Sequence, residues 1–140
     1  MPLVVRARLC TGCRTCELAC AFAHGAACAP GGPASPGGYA TPGASRVHVT
    51  SDDPLHLPLL CLQCDDAACM RACPTRALVR NEITGAVELA GERCIRCEAC
   101  VIACPFGNIR ISAGAMPQKC DLCGGDPACA RFCPSGALWY

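Results

Sequence analysis

Four groups of four cysteines, spread along the whole chain, restrict what this sequence can fold into more than any other feature. They span residues 10–20, 61–73, 94–104 and 120–133. Each group, called a quartet below, begins with two cysteines separated by two residues and ends with two cysteines separated by three residues. The fold must therefore place these thiols where they bind a metal or form disulfides, or where they are protected from reaction.

The aliphatic core expected from the rest of the sequence is thin. Leu, Ile, Val and Phe make up about 19% of the 140 residues, and chains below roughly 20% begin to lack a core. The 17 cysteines inflate the overall hydrophobic fraction of 52%. Small chains with thin cores are stabilised by disulfides or by metals. The cysteines are therefore expected to hold the fold together.

The start of the chain favours metal binding over disulfides. No secretory signal, twin-arginine pair or cleavage site follows Met1, so we expect a cytoplasmic protein, where thiols stay reduced. No apolar run approaches the ~18 residues of a membrane-spanning helix. The longest run, Leu55 to Leu62, is interrupted by His56 and Pro58. We expect a protein without a membrane span whose cysteines bind metal.

The third quartet indicates which metal group is bound. It has the C-x2-C-x2-C-x3-C-P spacing, from Cys94 to Pro105, with which bacterial ferredoxins bind cubane iron–sulfur clusters. In that pattern the last cysteine binds the other cluster of a pair. Four quartets therefore predict four [4Fe-4S] clusters. Zinc is the main alternative, but its sites need only C-x2-C pairs and do not explain the x3 cysteine. Disulfides are less favoured, because neighbouring C-x2-C cysteines rarely meet bridge geometry.

Between the cysteines, the sequence predicts an α+β fold with short strands, short helices and large cluster-binding loops. Good helix formers at 17–23 place Cys16 and Cys20 on one helical face. Gly85 marks the turn of a β-hairpin. The expected strands lie at residues 3–9, 46–50, 77–80, 86–89, 108–112 and 137–140.

A repeat follows the last cysteine of three quartets. Each has Pro at the next position and an aliphatic residue five positions on, namely Leu78, Ile109 and Leu138. Proline ends the helix and turns the chain toward a strand, whose first apolar residue is expected to cover the cluster. The first quartet has Ala21 and Gly25 at these positions, so we expect a longer helix through His24.

Several residues outside the quartets have a less specific interpretation. Residues 29–45 contain five Gly and four Pro, which excludes a helix or central strand. We favour a flexible insertion there over a loop that wraps a partner around Tyr39. Cys28 is interpreted as a free or buried thiol, because the quartets are complete without it. The histidines, His24, His48 and His56, are interpreted as surface or packing residues.

The formal charge of +1 counts the thiols as neutral. Sixteen thiolates on four oxidised cores would bring the loaded protein to about −7. We therefore expect docking to basic protein surfaces and no nucleic-acid binding. Charges near the clusters are expected to shift their potentials, unless solvent screens them. Asp65 and Asp66 would lower the potentials, and Arg93, Arg96 and Lys119 would raise them.

Taken together, the quartets resemble a known family across residues 8 to 138. The x4 spacing in quartet two, the longer spacing in quartet four, and the strings Cys13-Arg-Thr-Cys16-Glu-Leu-Ala-Cys20 and Lys119-Cys120-Asp-Leu-Cys123 look like the four-cluster ferredoxin-like electron-transfer subunits. These serve dimethyl sulfoxide reductase, formate hydrogenlyase, carbon monoxide dehydrogenase and tungsten aldehyde oxidoreductase type complexes. The resemblance implies a non-catalytic subunit that relays single electrons to or from a catalytic oxidoreductase subunit.

The resemblance also implies which cysteines share a cluster. It implies one polyferredoxin domain over residues 1–140, made of two interleaved bacterial-ferredoxin-like (dicluster) halves. Half one combines quartets 10–20 and 120–133, and half two combines quartets 61–73 and 94–104. The implied ligand sets are Cys10, Cys13, Cys16 and Cys133 for cluster 1; Cys120, Cys123, Cys129 and Cys20 for cluster 2; Cys61, Cys64, Cys69 and Cys104 for cluster 3; and Cys94, Cys97, Cys100 and Cys73 for cluster 4.

The expected partner is a catalytic subunit with a tungsten or molybdenum pterin. A tungsten aldehyde oxidoreductase is favoured over a hydrogenase or a carbon monoxide dehydrogenase, and a flavin subunit or a ferredoxin is a further candidate partner. The alternatives are a freely diffusing polyferredoxin and, less favoured, an interaction module held together by zinc. The sequence contains no phosphate-binding loop and no set of nucleophile, base and orienting residue, so we expect no catalysis by this chain alone.

Overall fold

The computed structural model describes residues 3–24, 45–111 and 116–140. The predictions for Cys28, Tyr39 and almost all of the Gly/Pro-rich segment 29–45 lie outside these residues. The described helices and strands are short, as predicted. The α-helices are α1 (Thr15–His24), α2 (Ala68–Ala72), α3 (Ala99–Ala103) and α4 (Ala128–Arg131), and the strands are β1 (Val4–Val5), β2 (His48–Asp52), β3 (Leu55–Leu59), β4 (Leu78–Arg80), β5 (Val87–Leu89) and β6 (Leu138–Trp139).

Each α-helix carries the third cysteine of one quartet. The last cysteine lies inside α1 but directly after α2 and α3, where the following proline prevents the helix from continuing. α1 packs against α4, and α2 packs against α3. We refer to α1 and α4 as the outer helix pair and to α2 and α3 as the inner helix pair, because the inner quartets lie between the outer ones in sequence. The exit from the first quartet differs as predicted, since α1 continues to His24.

The strands form three antiparallel pairs. β1 pairs with β6, β2 with β3, and β4 with β5. The β4–β5 hairpin was predicted, and Gly85 has a φ of 73° at its turn. The Asn81 side chain accepts hydrogen bonds from the backbone N–H groups of Ile83 and Thr84. This polar cap fixes the turn. The terminal strand is also confirmed, as β6.

Two strand predictions are wrong, the one at 3–9 in part and the one at 108–112 over all of its described residues. Residues 3–9 form a strand only at Val4–Val5, and Ala7–Leu9 is a 3-10 helix. The backbone N–H groups of Leu9 and Cys10 bond to the carbonyls of Arg6 and Ala7, so the chain turns before it reaches the first cysteine. Residues 108–111 form no strand. Arg110 makes only an isolated bridge to Gln118.

The β2–β3 hairpin extends the predicted strand at 46–50 into a longer pair. Val47 and Val49 are both buried. β3 lies in the apolar run containing His56 and Pro58, where no strand was expected because proline interrupts the run. Proline is tolerated there because β3 is an edge strand of a two-stranded sheet.

The buried residues form two groups, each containing cysteines. The larger group contains Leu3, Val47, Val49, Leu60, Ala86, Leu122 and Leu138 with Cys16, Cys20 and Cys129. The smaller contains Ala67, Leu78, Val87 and Ile109 with Cys69 and Cys100. The aliphatic residues five positions after a quartet are 4%, 3% and 2% exposed at Leu78, Ile109 and Leu138. The repeat therefore marks buried core positions, and the prediction that these residues cover the clusters stays a prediction.

None of the helices in the described parts of the chain has the length and apolar character needed to cross a bilayer. The interleaving of two halves stays a prediction.

Candidate iron–sulfur cluster site

A left-handed turn recurs in the first C-x2-C loop of every quartet. The residue before the second cysteine has a positive φ in each case: 71° at Gly12, 51° at Gln63, 59° at Arg96 and 55° at Leu122. Such a turn curls the backbone so that two nearby cysteines face a common centre. Only Gly12 is a glycine, and side-chain-bearing residues rarely adopt this conformation. The turn was therefore not visible in the sequence.

Gly12 is also a point of close contact with the β2–β3 hairpin. A Cβ atom at this position would lie 2.8 Å from Nδ1 of His56, which is closer than nonbonded atoms approach. The same imidazole Nδ1 lies 2.9 Å from Oγ of Ser51. The hairpin therefore lies directly over the first quartet's loop, and His56 is a packing residue as predicted.

All sixteen quartet cysteines are free thiols. Five are buried, namely Cys16, Cys20, Cys69, Cys100 and Cys129. Only Cys13 and Cys97 among them are exposed, and the remaining nine are partly buried. No quartet cysteine is used in a disulfide, so each is available as a ligand.

Electrostatic interactions show which cysteines lie near one another. Cys16 interacts with Cys10 and Cys133, and Cys129 with Cys120, Cys20 and Cys123. These interactions join quartets one and four. Cys69 interacts with Cys61 and Cys104, and Cys100 with Cys94 and Cys69, which joins quartets two and three. Most of these neighbours belong to one implied ligand set, but Cys100 and Cys69 belong to clusters 4 and 3. The interactions therefore support the pairing of quartets, and the ligand assignment itself stays a prediction.

The spread of the sulfur atoms distinguishes between zinc and clusters. Thiolates on one tetrahedral zinc lie roughly 4 Å apart, because each Zn–S bond is about 2.3 Å long. In the described parts of the chain, no three cysteine sulfurs lie within 4.8 Å of one another; the one three-residue group that does combines His24, Asp121 and Cys123. A cubane binds each thiolate on a different iron. The cysteine sulfurs of the described residues are therefore not gathered around a single ion, and a cubane does not need them to be.

Several of these thiols are costly to ionise without a bound cation. Burial raises the pKa of Cys16 and of Cys120 to about 11. Burial also raises the pKa of Cys129, and the neighbouring thiols Cys120, Cys20 and Cys123 add to the effect. Thiolates are the form that binds metal, and a positive core offsets their charge. Unpaired thiolates at these positions would be unfavourable, so the site is suited to a cationic group.

Hydrogen bonds to sulfur stabilise other thiolates. Backbone N–H groups donate to Cys20 from Arg46 and to Cys73 from Ala77, both at 3.2 Å between nitrogen and Sγ. Burial would raise the pKa of the Cys73 thiol, but hydrogen bonds involving Thr75 and Ala77 hold it below its usual range. Such bonds are among the means by which a protein adjusts a cluster's potential.

A hydroxyl follows two of the quartets at the same position. Thr75 and Ser135 each lie two residues after the last cysteine, with Oγ atoms 3.6 Å and 3.7 Å from Sγ of Cys73 and Cys133. The third quartet has the exposed Phe106 at this position. The sequence repeat contained this signal, since Thr and Ser align there, but only the side-chain positions show its role.

His24 was predicted to be a surface or packing residue, and the structure shows which groups it packs against. Its Nε2 lies 3.5 Å from Sγ of Cys123 and 3.5 Å from Oδ1 of Asp121. Asp121 forms a 2.7 Å ion pair with Arg46. Burial lowers the pKa of His24, and the Arg46 charge acts in the same direction. The neutral imidazole therefore packs against Cys123, a predicted cluster ligand, while the Asp121 carboxylate is balanced by Arg46.

The charged residues expected to influence the clusters differ in burial. Asp65, Asp66, Arg93 and Arg96 are exposed, whereas Lys119 is buried. Solvent screening weakens the exposed charges. Solvent screens Lys119 least among these charges, and no local sequence pattern indicates that it is buried.

Comparison with known proteins places these features in a family. A 4Fe-4S dicluster domain model matches residues 53–140, and a 4Fe-4S binding domain model matches residues 8–23. The polyferredoxin-like subunit of aliphatic sulfonate oxidoreductase from Pyrococcus furiosus is 44% identical, over 89% of this chain and 66% of the relative. The putative electron transport protein YsaA of Escherichia coli is 38% identical, over 97% of this chain and 86% of the relative.

Two further matches differ in how much of the matched protein this chain covers. The putative oxidoreductase UacF of Escherichia coli is 36% identical over 97% of this chain, which spans only 20% of that relative. A solved structure of the BamBC active site complex of benzoyl coenzyme A reductase contains a chain with a TM-score of 0.51 and 28% identity, covering 98% of this chain and 74% of that one. The fold, the cysteine loops and the matching models together show that this chain belongs to the family of ferredoxin-like proteins with the 4Fe-4S dicluster domain.

Proposed function

We propose that this chain is a non-catalytic electron-transfer subunit that carries four [4Fe-4S] clusters and exchanges single electrons with a catalytic oxidoreductase subunit. One observation supports the proposal most directly. Sixteen free cysteines lie in four loops with the same left-handed turn, and no three of these sulfurs are close enough to share one ion. The bound clusters would supply reversible one-electron chemistry.

The proposed ligand sets are those implied by the family resemblance, from cluster 1 at Cys10 to cluster 4 at Cys94. The packing of α1 on α4 and of α2 on α3 supports them, because each helix would connect two clusters of one pair. The chain's own residues bind and shield the clusters. Backbone N–H groups and hydroxyls donate to the sulfurs, and Leu78, Ile109 and Leu138 exclude water.

The burial of the cysteines supports an order for electron transfer. Clusters 1 and 4 each include one exposed cysteine, Cys13 and Cys97 respectively, and are the proposed points of entry and exit. Clusters 2 and 3 have no exposed ligand. Cys120 of cluster 2 interacts electrostatically with Cys61 of cluster 3. We infer a path from cluster 1 through clusters 2 and 3 to cluster 4, or the reverse.

The proposed catalytic partner is a pterin enzyme of the tungsten aldehyde oxidoreductase type. The Pyrococcus furiosus relative, which is named a polyferredoxin-like subunit of an oxidoreductase, supports a fixed catalytic partner. A hydrogenase or carbon monoxide dehydrogenase is the next candidate, and a flavin subunit or ferredoxin would accept or supply the electrons. The free thiols suit a reducing compartment, so the cytoplasm is the proposed location.

Anaerobic purification of the native protein tests this function. Four cubanes predict roughly 16 iron atoms and as much labile sulfide per chain, together with a co-purifying large subunit. Assays for tungsten, molybdenum, nickel and flavin in the complex identify the partner's class. Stoichiometric zinc without iron would exclude the electron-transfer function.

A second candidate is a freely diffusing polyferredoxin. It is favoured by relatives that are named electron transport proteins without a named complex, YsaA and HydN of Escherichia coli, of which the chain covers 86% and 85%. Size-exclusion chromatography of native extract separates the two candidates. A small iron-containing species without a partner supports diffusion, and elution with a large subunit supports a fixed complex.

A further inference from the structure

A buried lysine lies where the second and fourth quartets meet. Lys119 is 5% exposed, although it precedes the first cysteine of quartet four. Its Nζ lies 2.6 Å from the carbonyl oxygen of Val87, 3.2 Å from Sγ of Cys61 and 3.3 Å from the carbonyl oxygen of Cys120. One ammonium group therefore contacts a ligand of proposed cluster 3 and the backbone of a ligand of proposed cluster 2.

Lys119 has no carboxylate partner within the described ranges. The ion pairs there belong to Arg14, His24, Arg46, Arg71 and Arg131. Burying a charged group is unfavourable unless an opposite charge or strong hydrogen bonds compensate it. Three neutral oxygens and one cysteine sulfur surround the ammonium. The sulfur of Cys61 is the group that supplies negative charge when it is a ligand thiolate.

Gln63 fixes the lysine in this position. Gln63 is 8% exposed, and its Oε1 accepts hydrogen bonds from Nζ of Lys119 at 3.1 Å and from the backbone N–H of Val87 at 2.9 Å. Its Nε2 donates to the carbonyl oxygen of Cys120 at 2.8 Å. Gln63 is also the left-handed residue of the second quartet's loop. The same side chain therefore holds the lysine and connects the two quartets.

The field of the lysine reaches cysteines in both quartets. Its Nζ lies 3.2 Å from Sγ of Cys61 in quartet two and 3.3 Å from the carbonyl oxygen of Cys120 in quartet four. In a buried site with a low effective dielectric constant, a single charge acts more strongly than it does at the surface. Reduction adds negative charge to a cluster, so a fixed cation stabilises the reduced state more than the oxidised state.

We propose that Lys119 is a counter-cation shared by the two central clusters, raising the reduction potential of cluster 3 most and that of cluster 2 less. The inequality follows from the contacts, because Nζ touches the sulfur of Cys61, a cluster 3 ligand, but only the backbone carbonyl of Cys120, a cluster 2 ligand. This inference rests on the proposed function. The proposal makes a specific prediction. A substitution that removes the Lys119 charge should shift the potentials of clusters 2 and 3 by unequal amounts and leave those of clusters 1 and 4 unchanged.

The test uses the full chain in its native complex, with redox titration followed by electron paramagnetic resonance. Lys119→Met keeps an unbranched side chain of similar length but removes the charge. We expect two of the four potentials to fall, one clearly more than the other. Lys119→Arg keeps the charge and should keep both potentials near their wild-type values. Unchanged potentials in Lys119→Met with full iron content would overturn the inference.

Substitution of an exposed arginine is a control that separates the effect of burial from the effect of removing a positive charge. Arg93 is exposed and directly precedes Cys94, so Arg93→Gln also removes one positive charge beside a cluster ligand. We expect a much smaller shift, because solvent screens an exposed charge. A shift for Arg93→Gln as large as that for Lys119→Met would contradict the role given to the buried site.

Gln63→Glu provides a second test should Lys119→Met lose iron. This change keeps the lysine and places a carboxylate against it, so the lysine's net effect on the clusters is cancelled. The potentials of the same two clusters should fall, whereas Gln63→Met, which adds no charge, should shift them less. Equal potentials in both Gln63 variants would overturn the inference. A wild-type protein without iron would instead reject the proposed function itself.

Discussion

The outer and inner helix pairs share one cysteine spacing but differ in what surrounds it. The outer pair packs into a buried group with six Leu and Val side chains, namely Leu3, Val47, Val49, Leu60, Leu122 and Leu138. The inner pair packs into a group with three aliphatic side chains larger than Ala, namely Leu78, Val87 and Ile109. The β2–β3 hairpin adds to the outer region, because its buried valines pack there and the backbone N–H of Val49 donates to Glu17 on α1.

This difference suggests that the two regions depend on their clusters to different degrees. Each buried aliphatic side chain contributes about 1.5–3 kcal/mol through the hydrophobic effect. The outer region therefore has some stability of its own, whereas the inner region has little besides its ligands. The cysteine motif determines where a cluster can bind. The aliphatic residues around it determine how much of the fold would remain after the cluster is removed.

Removal of iron should have the largest effect. A chelator under reducing conditions should abolish most cooperative unfolding, because small metal-dependent domains lose their fold with the metal. Hydrogen–deuterium exchange should then show complete loss of protection in α2, α3 and the β4–β5 hairpin. The β2–β3 hairpin should keep part of its protection. Greater residual protection in the inner region would contradict the comparison.

Loss of single ligands should have the next largest effect. Cys104→Ala should remove the cluster held by Cys61, Cys64 and Cys69, and Cys20→Ala the cluster held by Cys120, Cys123 and Cys129. Iron should fall from roughly 16 to roughly 12 atoms per chain in each variant. The inner variant should lose more thermal stability. If Cys104→Ala removed only the cluster at Cys94, Cys97 and Cys100, the proposed pairing would be wrong.

Truncation of one buried aliphatic side chain in each group should show how much each group contributes to the free energy of unfolding. Leu138→Ala in the outer group should reduce the free energy of unfolding by about 3 kcal/mol, and Ile109→Ala in the inner group by about 2 kcal/mol. The smaller value reflects a smaller core, which loses fewer contacts. The midpoint of thermal unfolding of the loaded protein gives the order of the two effects. Leu18→Ala, at a side chain that is 59% exposed, is the control and should change stability by less than about 0.5 kcal/mol.

Substitutions in the turns that follow the helices should change the stability least. Three residues after the last cysteine, φ is 52° at Arg76, 62° at Gly107 and 67° at Gly136. Each of these residues donates its N–H to the carbonyl of that cysteine at 3.3 Å. Gly107→Ala should destabilise the protein by about 1 kcal/mol, because no atom obstructs the new Cβ and only the left-handed conformation is unfavourable.

Arg76→Gly is the opposite change at the equivalent position. It should stabilise the protein by a few tenths of a kcal/mol or more, since Gly adopts this conformation without strain. The thermal unfolding midpoints of the two variants should therefore move in opposite directions. A destabilised Arg76→Gly variant would show that the arginine side chain contributes more than its backbone strain costs.

The parts of the site that follow from chemistry were predictable from the sequence. Ligand spacing singled out sixteen cysteines as candidate ligands, proline marked where α2, α3 and α4 end, and the aliphatic repeat identified three buried positions. These signals are local, because each lies within a few residues of a cysteine. The loading with four clusters and the ligand pairing stay predictions that the iron measurements above would test.

The remaining features depend on contacts between distant parts of the chain. Lys119 lies more than 50 residues from Gln63 and Cys61 in sequence, and no local pattern indicates that a lysine will be buried. The left-handed turns at Gln63 and Leu122 occur at residues that do not usually adopt them. β3 contains a proline that argues against a strand, and it forms because β2 provides a partner.

The pairing of β1 with β6 has a consequence for biosynthesis. Val4 pairs with Trp139 and Val5 with Leu138, so β1 can pair only after the ribosome has added the distant segment that contains β6. The inner helix pair, between residues 68 and 103, is synthesised before that segment. The thiols of the first quartet must therefore stay reduced, without their neighbours from α4, while the inner quartets are completed. Any machinery that delivers iron during synthesis would meet the inner loops as a complete unit before the outer ones.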